Sequence, residues 1–371
     1  MKNFSDKSQA TSASLLYLPA LDAFRALAVS LVIFHHYCGG PDVIGPIGVW
    51  IFFVISGFLI TRILLNARTD TPGDSRRALF NFYIRRFLRI FPLYYFVLIL
   101  SFAVSVKFRE SWYWYATYLQ NFKMMGAKDP VQVFGVHFWS LAVEEQFYLF
   151  WPLFMLFLPR VWLLPTMLLA IVIGVVSRSV CAAMGLTMFQ GYVFTLSNLD
   201  MLGLGALLAW FVTYRSDKVV PLRRVAFFGS LVIWAGESHF RLSIMFMALP
   251  TGLLALWWIS HIAAGIPGIF GRLVALPPSV YVGRISYGIY VYHFFVPIAL
   301  KPMLHRFHIE DGHVLFVIIC IVVTIVISSL SWFLLEKPIN SLKSRFKQGM
   351  GGSLHAIPDK MASIGVEPIR L

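Results

Sequence analysis

Between Leu18 and Tyr37 an apolar run carries Asp22 and Arg25 near its start and His35 and His36 near its end. As an α-helix turning about 100° per residue, it puts Arg25 and His36 on one face, three turns apart. At about 1.5 Å per residue the two are separated by roughly 16 Å along the axis. Asp22 lies within about 60° of that face, whereas His35 points about 80° away. If this helix spans a bilayer, a guanidinium and an imidazole look into the protein at two depths. Ionisable groups are costly in hydrocarbon, so such a pair points to function. The structural alternative is that Arg25 snorkels to the headgroups and His36 sits at the opposite interface.

Five further stretches carry chemistry. Arg86 and Arg89, in the stretch Asn81–Pro92, are helical neighbours, and paired guanidiniums bind phosphate in bidentate fashion. Such a pair suits an adenine nucleotide or coenzyme A; the alternative is an anchor touching lipid phosphates. In the stretch from His137 to Pro152, Ser140, Glu144 and Tyr148 form one i, i+4 row. Adjacent residues diverge by about 100°, so Glu144 and Glu145 do not both face one partner. Either one glutamate pairs with an arginine while the other serves catalysis, or both are structural. Ser56-Gly57 sits among bulky residues and lets a backbone or a ligand approach closely. Ser286, Tyr290 and His293 fall on one helical face, and Glu336 ends an apolar run just before Pro338.

The elements that must position these groups are membrane helices. Of 371 residues, 58% are hydrophobic and 13% charged, with a mean hydropathy of +0.75. Soluble domains carry about 25% charged residues, so water-soluble classes are excluded. Ten apolar runs approach the length needed to cross about 30 Å of hydrocarbon. They lie near 20–38, 47–66, 90–107, 138–158, 161–183, 194–213, 224–237, 243–262, 280–300 and 314–335. The aromatic segment 112–122 reads as an interfacial helix. The fold class is therefore all-α, a polytopic helix bundle.

Charge sets the expected orientation. The arginines clustered between Arg62 and Arg89 place that segment in the cytoplasm, and an even number of spans puts both termini there too. Residues 1–17 form a polar tail without a cleavable-signal pattern, 18–340 the membrane domain, and 341–371 a basic, mobile tail. The net charge of +14 is assigned to the cytoplasmic loops and anionic lipid headgroups, not to nucleic acid. Cys38, Cys181 and Cys320 give no disulfide framework or zinc spacing, and His35-His36-Tyr37-Cys38 is too small a set for a metal site. No metal and no permanently bound cofactor is expected.

Together these stretches resemble the integral-membrane acyltransferase-3 family, whose bacterial members O-acylate surface sugars and related glycosides. The resemblance covers about residues 18–340 and rests on six motifs in family order. These are Leu-Asp-x-x-Arg-x10-His (Leu21, Asp22, Arg25, His36), Phe-Phe-x-x-Ser-Gly (Phe52 to Gly57) and Arg-x-x-Arg (Arg86, Arg89). They continue with Trp-Ser-Leu-x-x-Glu-Glu-Gln-Phe-Tyr (Trp139 to Tyr148), Ser-Tyr-Gly-x-Tyr-x-x-His (Ser286 to His293) and the terminal Glu-Lys-Pro (Glu336 to Pro338). His35 beside His36 departs from the pattern, and the spacing selects His36.

The resemblance implies an acyltransferase of the bacterial inner membrane, working in polysaccharide modification. It would move an acyl group, acetyl by family default, from cytoplasmic acyl-coenzyme A as co-substrate to a hydroxyl of a glycan, lipid-linked glycan or glycoside. Joined to the residues, it makes His36 the general base, with acyl-His36 as a second version. Glu144 or Glu145 would orient His36 or compensate Arg25. Arg86 and Arg89 would hold coenzyme A phosphates, with Arg25, Ser56 and Gly57 along the donor arm. Ser286, Tyr290, His293 and Glu336 would contact the acceptor. Relatives with a C-terminal hydrolase-like domain exist; this chain is expected to act alone or through separate partners. The rival reading is a transporter or flippase for a lipid-linked glycan, its path lined by these charges.

Overall fold

The computed structural model describes residues 18–69, 71–127, 134–240 and 244–346. The polar tail expected at 1–17 and all but the first residues of the tail expected from 341 lie outside them. The described residues are helical, with no strand among them. The principal helices are α1 (Pro19–Cys38), α2 (Ile44–Ala67), α3 (Pro72–Val104), α4 (Trp139–Phe157), α5 (Arg160–Ala183) and α6 (Leu199–Tyr214). They continue with α7 (Val219–Phe240), α8 (Ala248–Ala264), α9 (Pro277–Arg284), α10 (Ser286–Tyr292), α11 (Phe295–His305) and α12 (Val314–Ser331).

Six helical segments among the described residues are long and apolar enough to cross a membrane: Ile44–Ala67, Gly73–Val104, Arg160–Ala183, Leu196–Tyr214, Ser216–Glu237 and Val314–Arg345. The chain is a multi-pass helical membrane protein. α8 is apolar but shorter. α1 and α4 have the length of a span but carry Asp22 and Arg25, and Glu144 and Glu145, within it.

Three elements differ from the sequence reading. The ninth span, expected whole at 280–300, is α9, α10 and α11, broken at Ile285 and again around His293. The third span begins early: the arginine-rich segment before it is the first half of the 33-residue α3, so Arg86 and Arg89 sit on a helix continuous with the span. The aromatic segment at 112–122 is two short helices, Trp112–Ala116 and Gln120–Met125, parted at Tyr118, whose φ is +54°. It bends because Gln120 and Asn121 are fully buried and bonded inward. Gln120 Nε2 donates to the Phe138 carbonyl at 2.8 Å, and Asn121 Nδ2 donates to Thr195 Oγ1 at 2.8 Å.

α1 starts with Pro19 in its first turn and stops at Gly39 in the left-handed conformation (φ +64°), the arrangement these residue types favour. α2 packs against α6 through two reciprocal glycines. A Cβ on Gly57 would lie 2.0 Å from the Leu202 carbonyl oxygen, and one on Gly205 would lie 2.0 Å from that of Val54. In lipid, helices associate through such close backbone approach. α9 presses on the start of α1 in the same way, with Gly283 against the Asp22 carbonyl.

Candidate active site

α1, α2, α3, α4, α9 and α10 line a cavity of about 590 Å³. That volume lies in the range of small-molecule and cofactor pockets, about 300–1,000 Å³. Its apolar wall is α2, whose sequence turns Phe52, Phe53, Ile55 and Leu59 toward it around Ser56. Cations enter from three helices: Arg25 from α1, Arg86 and Arg89 from α3, and Arg284 from α9. Carboxylates enter from α1 (Asp22) and α4 (Glu144 and Glu145), and hydroxyls from Ser140, Tyr148, Ser286 and Tyr290.

Of the three acids, Glu144 is tied to the protein. Glu144 Oε1 accepts a hydrogen bond from Ser56 Oγ at 2.7 Å, and Ser56 Oγ accepts one from the Tyr148 hydroxyl at 3.0 Å. Glu145 Oε1 is buried and has no hydrogen-bond partner among the described residues. Arg25 stands 3.7 Å from Asp22, an ion pair too long for a hydrogen bond. The Arg86 guanidinium lies 5.4 Å from the Tyr148 ring centre and 5.8 Å from that of Phe82, both in cation–π range. Among the described residues, neither Arg86 nor Arg89 spends a donor on a protein acceptor. Both side chains line the cavity.

A second, more apolar cavity of about 410 Å³ shares Arg86, Glu145 and Tyr148 with the first. It opens among Phe80, Phe87 and Leu149, all exposed on the outer surface of the bundle.

Beyond the far end of the main cavity lies a histidine cluster. Tyr290 belongs to both: it lines the cavity, and its ring centre is 5.5 Å from that of His293. The Tyr290 hydroxyl is 2.5 Å from Ser140 Oγ and donates to the His137 carbonyl at 2.7 Å. His293 Nε2 lies 3.1 Å from His36 Nδ1. His137 stacks on Phe294 and stands 5.1 Å from His293, ring centre to ring centre. His35 turns away to the Gly40 carbonyl, at 3.2 Å.

The cavity thus gathers Arg25, Ser56, Arg86, Arg89, Glu144, Glu145, Ser286 and Tyr290. It does not include Gly57, His36, His293 or Glu336. Gly57 is a packing residue against Leu202, so of the Ser56-Gly57 pair only Ser56 faces the lumen. His293 is fully buried behind His36 and does not reach the cavity as an acceptor contact would. Neither glutamate bonds to His36; the side chain that does is His293. Glu336 is buried at the end of a π-helical turn, Trp332–Glu336, where Ser331 Oγ donates to it at 3.2 Å. The cavity residue of that turn is Trp332.

Two features escaped the sequence reading. Arg284 stands beside the Ser-Tyr-Gly motif, and only the folded chain brings it to the cavity that Arg25 also lines. Arg178 and Asp200 form a bidentate pair between α5 and α6, with Nη1 2.8 Å from Oδ1 and Nη2 bonded to Oδ2. The available signal was an ionisable residue inside each of two apolar runs.

Comparison with known proteins gives the family. The model of the acyltransferase-3 family, an acyltransferase domain, matches residues 18–332. The chain belongs to that family. It is 30% identical to the peptidoglycan O-acetyltransferase OatA of Listeria monocytogenes over 367 residues, covering 89% of this chain and 57% of that protein. It is 29% identical to the putative peptidoglycan O-acetyltransferase YrhL of Bacillus subtilis, covering 88% and 55%. With a putative O-acetyltransferase of Staphylococcus aureus the identity is 28%, covering 87% and 57%. The chain therefore spans a little over half the length of these relatives. No solved structure matches it.

Proposed function

We propose that the protein is a membrane O-acyltransferase that carries an acetyl group from acetyl-coenzyme A to a hydroxyl of an envelope glycan, peptidoglycan or a lipid-linked precursor. The observation that carries this reading is the set of guanidiniums from α1 and α3 lining one cavity, of which Arg86 and Arg89 meet no protein acceptor among the described residues. A polyanion with an extended apolar-polar arm fits that lining, and charge-assisted bonds to phosphate are the strong ones. Arg86 and Arg89 hold the coenzyme A phosphates at the cytoplasmic end, and Arg25 and Arg284 flank the entry. The arm then runs along the Ser56 face of α2 toward Tyr290. Glu144 offsets the charge of Arg25 and Arg86 and keeps Ser56 in place.

At the far end the acceptor hydroxyl meets the thioester. His36 takes the hydroxyl proton as general base, which suits an imidazole near neutral pH. The hydroxyl oxygen bonds to the acyl carbon, the carbon–sulfur bond breaks, and the departing thiolate recovers the proton from His36. The products are an ester and coenzyme A. The roughly 16 Å rise from Arg25 to His36 lets the donor stay inside while the acceptor is met toward the outer side of the inner membrane. The names of the relatives support acetyl as the group and a glycan as the acceptor.

The test is transfer of label from radioactive acetyl-coenzyme A into glycan by membranes of an expressing strain. The expected outcome is label in glycan with wild type and a loss of about 10²-fold or more with His36→Ala, the range a positioned base supplies. Glycan crossing the membrane with no donor and no label would replace this reading with transport.

A further inference from the structure

The pair His36–His293 fixes more than a distance. His293 Nδ1 lies 2.6 Å from the carbonyl oxygen of Tyr290, one turn back on the chain. A carbonyl oxygen only accepts, so Nδ1 of His293 carries a proton. A neutral His293 then presents a lone pair at Nε2. That lone pair faces His36 Nδ1 at 3.1 Å, so His36 must donate from Nδ1. A neutral His36 with its proton on Nδ1 has an unprotonated Nε2. That atom is on the far side of a ring that is exposed, whereas His293 is fully buried.

From these contacts we propose that His293 is a positioning residue that sets the tautomer of His36 and makes His36 Nε2 the atom that receives the acceptor's proton. The inference rests on the acyl-transfer reading and deepens it by assigning the base atom and the group behind it. A neutral histidine side chain left to itself favours the proton on Nε2, the wrong nitrogen for this task. The Tyr290 carbonyl, acting through His293, reverses that preference.

The surroundings hold His293 to this role. Its carbonyl accepts from the Tyr37 hydroxyl at 2.6 Å, and that hydroxyl is 2.8 Å from Thr324 Oγ1, which ties α1, the α10–α11 break and α12 together at this point. His137 packs edge-on against the His293 ring and directs its own Nε2 to the Val291 carbonyl at 3.3 Å. The titratable groups facing the pair are His35, His137, Tyr37 and Tyr290, and among the described residues no carboxylate bonds to either ring. A carboxylate behind the base would add a charge in an apolar setting and need its own compensation. A neutral imidazole orients the base without that cost. When Nε2 of His36 takes the hydroxyl proton, the imidazolium donates from Nδ1 to His293 Nε2 more strongly, since a charged donor makes the stronger bond. The proton then leaves from Nε2 to the thiolate, and His293 ends as it began.

The tautomer is read directly from nitrogen spectra of histidine-labelled protein in lipid bilayers, the His36 signals being identified by their loss in His36→Ala. The expected wild-type pattern is a protonated Nδ1 and an unprotonated Nε2, with Nδ1 protonated again in His293→Gln, whose side-chain oxygen still accepts. In His293→Leu the proton moves to Nε2. Steady-state kinetics supply the second reading. His293→Leu loses roughly tenfold to a hundredfold in kcat, a part of what a general base contributes, with KM for acetyl-coenzyme A held within about twofold. His293→Gln recovers part of that loss. A wild-type His36 protonated on Nε2, or a His293→Leu enzyme with wild-type kcat, overturns the proposal. A wild-type protein that transfers no acyl group overturns the proposed reaction instead, and the nitrogen spectra remain readable without it.

Discussion

The bundle buries charge in two places and treats it in two ways. Between α5 and α6, Arg178 and Asp200 meet as a bidentate pair whose side chains are 4% and 0% exposed, with the Ser197 carbonyl taking a further Arg178 donor. α5 comes so near that a Cβ on Gly174 would lie 2.4 Å from the Asp200 amide nitrogen. In the main cavity Arg25 stands only loosely beside Asp22, at 3.7 Å. Glu144 is held by Ser56, while Arg86 lies over Tyr148 and Arg89 lines the lumen without a protein acceptor among the described residues. Burial of charge therefore does not by itself mark a site in this protein. What separates Arg178 from Arg86 and Arg89 is that its guanidinium already holds a carboxylate.

The largest expected effect tests the closed pair. Asp200→Ala leaves Arg178 buried without a counter-charge and costs about 3–5 kcal/mol of stability. The double variant Arg178→Met/Asp200→Leu regains most of it, because apolar replacement of a whole buried pair is often neutral or better. Unfolding followed by tryptophan fluorescence in detergent checks both, and a loss under about 1 kcal/mol for Asp200→Ala would break the contrast. In the cavity, Arg86→Ala/Arg89→Ala weakens binding of coenzyme A about a hundredfold or more, at about 1.5–3 kcal/mol for each charged hydrogen bond. Its stability stays within about 1 kcal/mol of wild type, as titration calorimetry and the same unfolding assay will show together.

Smaller effects sharpen the difference. Glu144→Gln keeps an acceptor for Ser56 and so keeps the fold. It removes a negative charge beside the proposed donor site and is expected to tighten coenzyme A binding a few-fold, from a Coulomb term of about 1 kcal/mol. Weaker binding by this variant would make Glu144 a ligand-holding group instead. Least affected is Tyr148→Phe, which loses the bond to Ser56 for about 0.5–1.5 kcal/mol of stability and retains the ring under Arg86. Its coenzyme A affinity stays within about twofold.

Much of this site was legible along single helices. Arg25, Ser56, Arg86, Arg89, Glu144 and Tyr290 reach one cavity, and each was marked by cost or spacing within one apolar run. The helical count in the late part of the chain misled, because composition alone does not report where a run is broken. Residues 280–300 are apolar enough for one span. Nothing local says that His293 falls at a break, from which it turns to a histidine 257 positions away. Arg178 and Asp200 were passed over for a related reason: each looks interfacial in its own run, and their pairing exists only after α5 and α6 pack. Gly57 shows the converse. Its motif drew it into the donor site, but the Leu202 backbone occupies the space that its missing side chain leaves.

The interlock of Gly57 with Leu202 and Gly205 with Val54 has a mechanical consequence. Two helices in backbone contact at two points cannot slide or roll against each other, so α2 and α6 move as one rod. The same holds at a third point, where the Asp22 carbonyl occupies the space beside Gly283 and seats α9 on α1. The helices that carry Ser56 and Asp22 are thus parts of a fixed frame, and a cross-link between α2 and α6 should leave turnover unchanged.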